Sequence, residues 1–137
     1  MKEERSRFSG GRIMNQGFRI GKYIVRYPLI QGGMGVRISG GSLAGHVARC
    51  GGIGIVAAAG IAMNSRFYTG KNYFQAEPEA MKEELRKAYA IAPDGVVGVN
   101  VMVALSDFEA LVKASIEGGA KVIICGAGLP LSLPELT

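Results

Sequence analysis

The chain has 137 residues, enough for one domain with a buried core, and its 48% hydrophobic and 20% charged content excludes the low-hydropathy, high-charge composition of a disordered protein. The net charge of +5 does not mark a nucleic-acid binder. Residues 1–27 hold seven Lys and Arg against Glu3 and Glu4, whereas the nine basic and nine acidic residues of 28–137 cancel and leave no basic face to follow a phosphate backbone.

In chain order, residues 1–17 read as a basic, flexible N-terminal arm, and residues 18–137 as the folded body. The charged start excludes a secretory signal, Glu3 and Glu4 argue against an organellar transit peptide, and no apolar run is long enough to span a membrane. Residues 18–25 look like two small strands about Gly21-Lys22. From Pro28 onward one theme repeats: a short apolar, β-branched run, then glycine, then an amphipathic segment, then glycine or proline. That is the alternation of βα units around a parallel sheet. The strands are Leu29-Ile30-Gln31, Ile53 to Ala57, Val96 to Met102 and Val122 to Cys125, without the alternating polar residues of a half-solvated strand.

Between them the spacing predicts three helices. The first, Ser42 to Cys50, carries Leu43, Val47 and Cys50 as its expected inward stripe. The second follows a long loop, Gly60 to Phe74, and runs from Glu77 to Ala90 with Pro78 in its first turn. The third opens on a capping-box pattern, Ser106-Asp107-Phe108-Glu109, puts Phe108, Leu111, Val112 and Ile116 on one face, and ends at Gly118-Gly119. After the fourth strand, residues 126–137 stop where a fourth helix begins. Four such units cannot close an eight-stranded barrel. The expectation is therefore a truncated chain, or a half that pairs with another copy through exposed sheet edges.

Chemistry-bearing motifs are sparse. Gln31 to Gly41 lies between a strand and a helix, where glycines let a backbone approach a phosphate or a flat ring. It fails as a dinucleotide fingerprint because Ile38 stands where the third glycine belongs, and Gly70-Lys71 is no P-loop because Asn72 follows. On pattern alone a structural turn and a ligand loop stand level. Cys50 and Cys125 are far apart and lack a CxxC partner, so neither a disulfide framework nor a metal site is expected, and a reducing cytoplasm is the default.

Taken together, Pro28-Leu29-Ile30-Gln31-Gly32-Gly33-Met34-Gly35, Leu43-Ala44-Gly45, Gly51-Gly52-Ile53-Gly54, Gly98-Val99-Asn100-Val101-Met102 and Cys125-Gly126-Ala127-Gly128-Leu129-Pro130 resemble the nitronate monooxygenase (2-nitropropane dioxygenase) family over residues 18–137. The flavin-type enoyl-acyl-carrier-protein reductases belong to the same superfamily. The resemblance implies an α/β chain forming the N-terminal half of a (β/α)8 TIM barrel, four parallel βα units preceded by a small β-hairpin. It implies FMN at the carboxyl ends of the strands, with Gln31, Gly32, Gly33 and Met34 against the ring, Asn100 bonded to the cofactor, and Cys125 and Gly126 lining the same mouth. The activity it implies is oxidation of an alkyl nitronate by molecular oxygen. The alternatives are NAD(P)H-dependent reduction of an enoyl thioester or quinone, and a truncated fragment without activity; the two enzyme readings call for a small-molecule substrate, and none calls for nucleic acid or membrane.

Two residues depart from the family pattern, Arg37 and His46, each where a small residue is usual. His46 is the only histidine. Related enzymes take their base from a later motif that would lie beyond Thr137, so His46 is not given that role and no catalytic residue is assigned. Nor does the sequence offer Cys125 a base to form its thiolate.

Overall fold

The structure is a computed structural model that describes residues 17–63 and 65–137. Apart from its last residue, Gly17, the expected basic arm lies outside the described residues. The body opens with an antiparallel hairpin, β1 (Phe18–Ile20) and β2 (Tyr23–Val25), turned at Gly21 with φ 55°. Then follow α1 (Gly41–Arg49), β3 (Ile53–Ala57), α2 (Tyr73–Ile91), β4 (Val96–Met102), α3 (Phe108–Glu117), β5 (Val122–Gly126) and the short α4 (Leu133–Leu136). The second sheet is parallel throughout, ordered β3-β4-β5.

Leu29-Ile30-Gln31, expected as a full strand, contributes only a parallel bridge between Ile30 and Ile53 at the β3 edge. Two ladder bonds hold it, Ile53 N–H to Leu29 O at 2.9 Å and Gln31 N–H to Ile53 O at 3.0 Å. It is no longer because the chain leaves the sheet at Gly32.

The two faces of the sheet follow from the period of two along each strand. Val56, Val97, Val99 and Val101 face the helices and pack with Ala44 and Ala48 of α1, Met81 and Leu85 of α2, and Leu111 and Val112 of α3. Ile53, Ile55 and Val96 face the other way and are covered by Val25, with Phe18, Ile20 and Tyr23 of the hairpin around them. The hairpin thus closes the amino-terminal part of this inner face. Lys121 reinforces the closure by bonding Gly95 O at 2.7 Å while lying over the rings of Tyr23 and Tyr89, 5.5 Å from each.

Three helix expectations need correction. The buried stripe of α1, shared between β3 and α2, is Gly41, Ala44, Gly45 and Ala48, while Leu43 is 44% exposed and Cys50 is exposed. The reason is close packing: a Cβ on Gly54 would run into the Ala44 carbonyl, and one on Gly45 would stand 2.8 Å from Ala88 O. Only small residues fit there, so the larger apolar ones fall to the flank beside Tyr27, Pro28 and Leu29. Helix α2 starts a turn earlier than expected and places Pro78 inside it. Asn72 sets that start, because its Oδ1 accepts from Thr69 N–H at 2.7 Å and its amide donates to Phe67 O at 2.9 Å. Finally, no capping box forms at α3: Asp107 is the N-cap residue but makes no side-chain cap bond, and Ile116 is exposed.

Candidate functional site

At the carboxyl ends of the strands the chain leaves the β3 edge at Gln31 and rejoins it at Ser39, whose carbonyl accepts from Ala57 N–H at 2.8 Å. Between these points the sheet edge would lack partners. The Gln31 side chain fills the gap: its Nε2 donates to Ile55 O at 3.0 Å, and its Oε1 accepts from Ile55 N–H at 3.3 Å. One amide N–H and one lone pair of Gln31 remain for another partner.

The excursion from Gly32 to Ile38 is pinned by a residue that sequence reasoning missed. Ser39 is only 3% exposed. Its Oγ donates to Gly32 O at 3.0 Å and accepts from Met34 N–H at 2.9 Å, and its own N–H donates to Met34 O at 2.9 Å. No local pattern marks its role, because the partners of its hydroxyl lie in the loop it closes; the N-cap of α1 is Gly40.

This pinned loop lies on Asn100. A Cβ on Gly33 would stand 2.5 Å from Asn100 Cβ and 2.9 Å from its Oδ1, so glycine is required there by contact. Asn100 is the last inner-face residue but one of β4, level with Ala57 and Ile124, and its Nδ2 donates to Ile124 O at 3.3 Å. Gly32 and Gly126 are different: a Cβ on either would meet nothing within 4 Å. Met34 is 60% exposed. The structure therefore brings Gly33 and Asn100 into contact, holds Gln31 one strand over, and leaves open space beside Gly32 and Gly126. Two partly used amides beside open backbone suit the polar edge and flat face of a conjugated ring.

Cys125 is the exception. Its side chain packs on the helical side with Ile123, and burial pushes its thiol upward, away from the thiolate. Register decides this, because Asn100 pairs with Ile124 and neighbouring residues point to opposite faces. Only the Cys125 backbone is on the site's side of the strand.

Arg37 and His46 also lie apart from the Gly33–Asn100 contact. Arg37 holds a left-handed backbone, φ 63°, and lines a cavity of about 160 Å³ with Glu84 and Lys87. Glu84 Oε2 accepts the Gly41 N–H at 2.6 Å and so caps α1 from outside. Burial works to raise the Glu84 carboxyl, but Lys87, the Gly41 N–H and Arg37 outweigh it and hold it below the usual range. His46 is exposed on α1, its Nδ1 2.8 Å from Ser42 O. Among the described residues no three His, Cys, Asp or Glu side chains group as a metal site requires, and no helix is long and apolar enough to cross a membrane.

Comparison with known proteins places this geometry. The sequence pattern of the nitronate monooxygenase family matches residues 17–123. The chain belongs to that family. The match to the nitronate monooxygenase pattern runs from the hairpin through Gln31, Ser39 and Asn100, and stops within β5, before Cys125 and Gly126. The structure is similar to FabK from Thermotoga maritima, with a TM-score of 0.63 and 26% identity, over 82% of this chain and 31% of that one. This nitronate monooxygenase family member thus spans less than a third of FabK's length. No curated protein matches it at a significant level.

Proposed function

We propose that the chain is the N-terminal half of a flavin-dependent (β/α)8-barrel oxidoreductase, with FMN seated against Gln31, Gly32, Gly33, Met34, Asn100 and Gly126 and against the Cys125 backbone. One observation carries the reading: the Ser39-pinned loop rests its Gly33 on Asn100, while Gly32 and Gly126 beside it face open space that a Cβ would enter. Family membership and the likeness to FabK support it. FMN, when bound, supplies the electron-accepting ring. The residues of this chain do the holding: the free N–H and lone pair of Gln31 and the Asn100 amide orient a polar ring edge, and Met34 covers it from water.

The activity favoured is oxidation of an alkyl nitronate by molecular oxygen, as the family suggests. The likeness to FabK supports a second reading, NAD(P)H-dependent reduction on the same scaffold. Anaerobic mixing of the flavin-loaded protein with a nitronate and, separately, with NADH distinguishes them. In a full-length barrel that carries this half, bleaching of the flavin absorbance by nitronate is expected, and bleaching by NADH alone removes the first choice. Asn100→Ala should weaken flavin affinity by about tenfold, one lost buried hydrogen bond's worth.

Among the described residues β5 pairs on one side only, and its residues are half-buried. That edge suits a further parallel strand from a longer chain or a second copy. Phosphate sites of such barrels are frequently built after strands seven and eight. The 137 residues alone are therefore expected to hold FMN weakly and turn over nothing; protein that stays yellow through dialysis would contradict this. The unpaired Cys50 and Cys125 suit a reducing cytoplasm.

A further inference from the structure

Two carboxyl groups meet where the loops after β3 and β4 turn into their helices. Glu77, just past the first turn of α2, is 2% exposed, and its Oε2 has no hydrogen-bond partner among the described residues. Asp107, at the foot of α3, has a buried Oδ2 that is equally without one. Asp107 occupies the N-cap position, where an Asp ordinarily accepts from a first-turn N–H, and it forgoes that bond. Its carboxyl instead neighbours that of Glu77, as does the Tyr73 hydroxyl.

No cation is among the groups that act on Glu77. The titratable groups acting on Glu77 are Asp107, from the loop after β4, and Tyr73, from its own helix. Tyr68, of the loop after β3, stacks edge-on against Tyr73 with ring centres 5.9 Å apart. Glu109 and Lys113 of α3 line the shallow cavity on the outer side of Asp107. Two bare carboxylates in such a place repel each other, and each orphan oxygen carries a desolvation cost. A single proton between them removes one charge and gives both groups a partner.

We propose that Glu77 and Asp107 hold one proton in common, and that this proton latches the loop after β4 to the first turns of α2. The latch joins two of the loops at the carboxyl ends of the strands, one of which leads directly from the Asn100 strand. It stands whether or not the site binds flavin. Burial and the Asp107 carboxyl push the Glu77 carboxyl up to about 8, with Tyr73 opposing. The folded chain therefore keeps a proton that an unfolded carboxyl releases near 4.5. The latch is fully made below that value and is lost as pH rises through about 8.

Infrared difference spectroscopy on the full chain tests the proton directly. A protonated-carboxyl band is expected at mildly acidic pH, disappearing as pH rises through about 8 and missing from Glu77→Gln. Amide exchange over residues 103–108, corrected for its intrinsic pH dependence, should quicken about tenfold across the same window in the parent and stay slow in Glu77→Gln, whose amide donates to Asp107 at every pH. If Glu77→Gln does not fold, Asp107→Asn, whose amide donates to Glu77, should move the loss of the band to lower pH. Absence of the band in the parent, its survival in Glu77→Gln, or its removal at constant pH by added Na⁺, K⁺ or Mg²⁺ would overturn the proposal. The last outcome would put a metal ion where the proton is placed.

Discussion

The two faces of the β3–β4–β5 sheet are built from the same strands and obey different rules. On the helical side, Val56, Val97, Val99 and Val101 are fully buried, and α1 comes so near that Gly54 and Ala44 meet backbone to side-chain position. On the inner side the hairpin buries Ile53, Ile55 and Val96 and leaves the carboxyl end to Gln31, Asn100 and unfilled space beside Gly32 and Gly126. Burial is concentrated on one face and at one end, and the end left open is where the proposed ligand would sit.

Paired glycine substitutions give the largest test of this division. Gly54→Ala should cost about 3 kcal/mol or more in urea unfolding, because the new methyl meets backbone that cannot give way. Gly32→Ala should stay within about 0.5 kcal/mol of the parent, since its methyl enters open space. Equal costs would erase the distinction between the faces. A middle-sized effect is expected from Ser39→Ala, which strips the Gly32 carbonyl and the Met34 N–H of a partner and should cost about 1–3 kcal/mol. Its faster amide exchange should be confined to residues 32–39; faster exchange throughout the sheet would mean that the loop is part of the stabilising face.

The smallest effect concerns the α1 cap. Because the Glu84 carboxyl is held low in the fold, its contribution is present above the ordinary carboxylate range and disappears as pH falls through its lowered value. Glu84→Gln should therefore lower Tm at neutral pH by the equivalent of less than about 1 kcal/mol, the group being partly solvated. The difference should close in acid. A gap that persists at low pH would mean that packing, not charge, holds α1.

Much of this was legible from the residues. The bounds of β3 and β4 follow from short runs rich in Val and Ile, the hairpin from Gly21-Lys22, and the end of α3 from Gly118-Gly119. That Gly33 and Asn100 share a site was expected only through the family resemblance; the contact between them is read from the structure alone. The burial of α1 was misread because hydrophobicity was taken as the guide to the inward stripe, whereas its close approach to β3 and α2 selects for small size. The capping box Ser106-Asp107-Phe108-Glu109 was expected because local sequence shows the nearby N–H groups and not Glu77, thirty residues before Asp107.

By itself the sequence determined which segments extend, which coil and where they turn, since propensity, period and glycine placement act within a few residues. Only the tertiary structure decided which side chain of each strand faces the site, because register sets that choice and a one-residue shift reverses it. So Cys125 turns to the helices while Asn100 turns to the loop. Likewise, Gln31 became a rung of the sheet and Ser39 its pin only once the chain had left the β3 edge and returned, since a hydrogen bond across that gap exists only when both ends are in place.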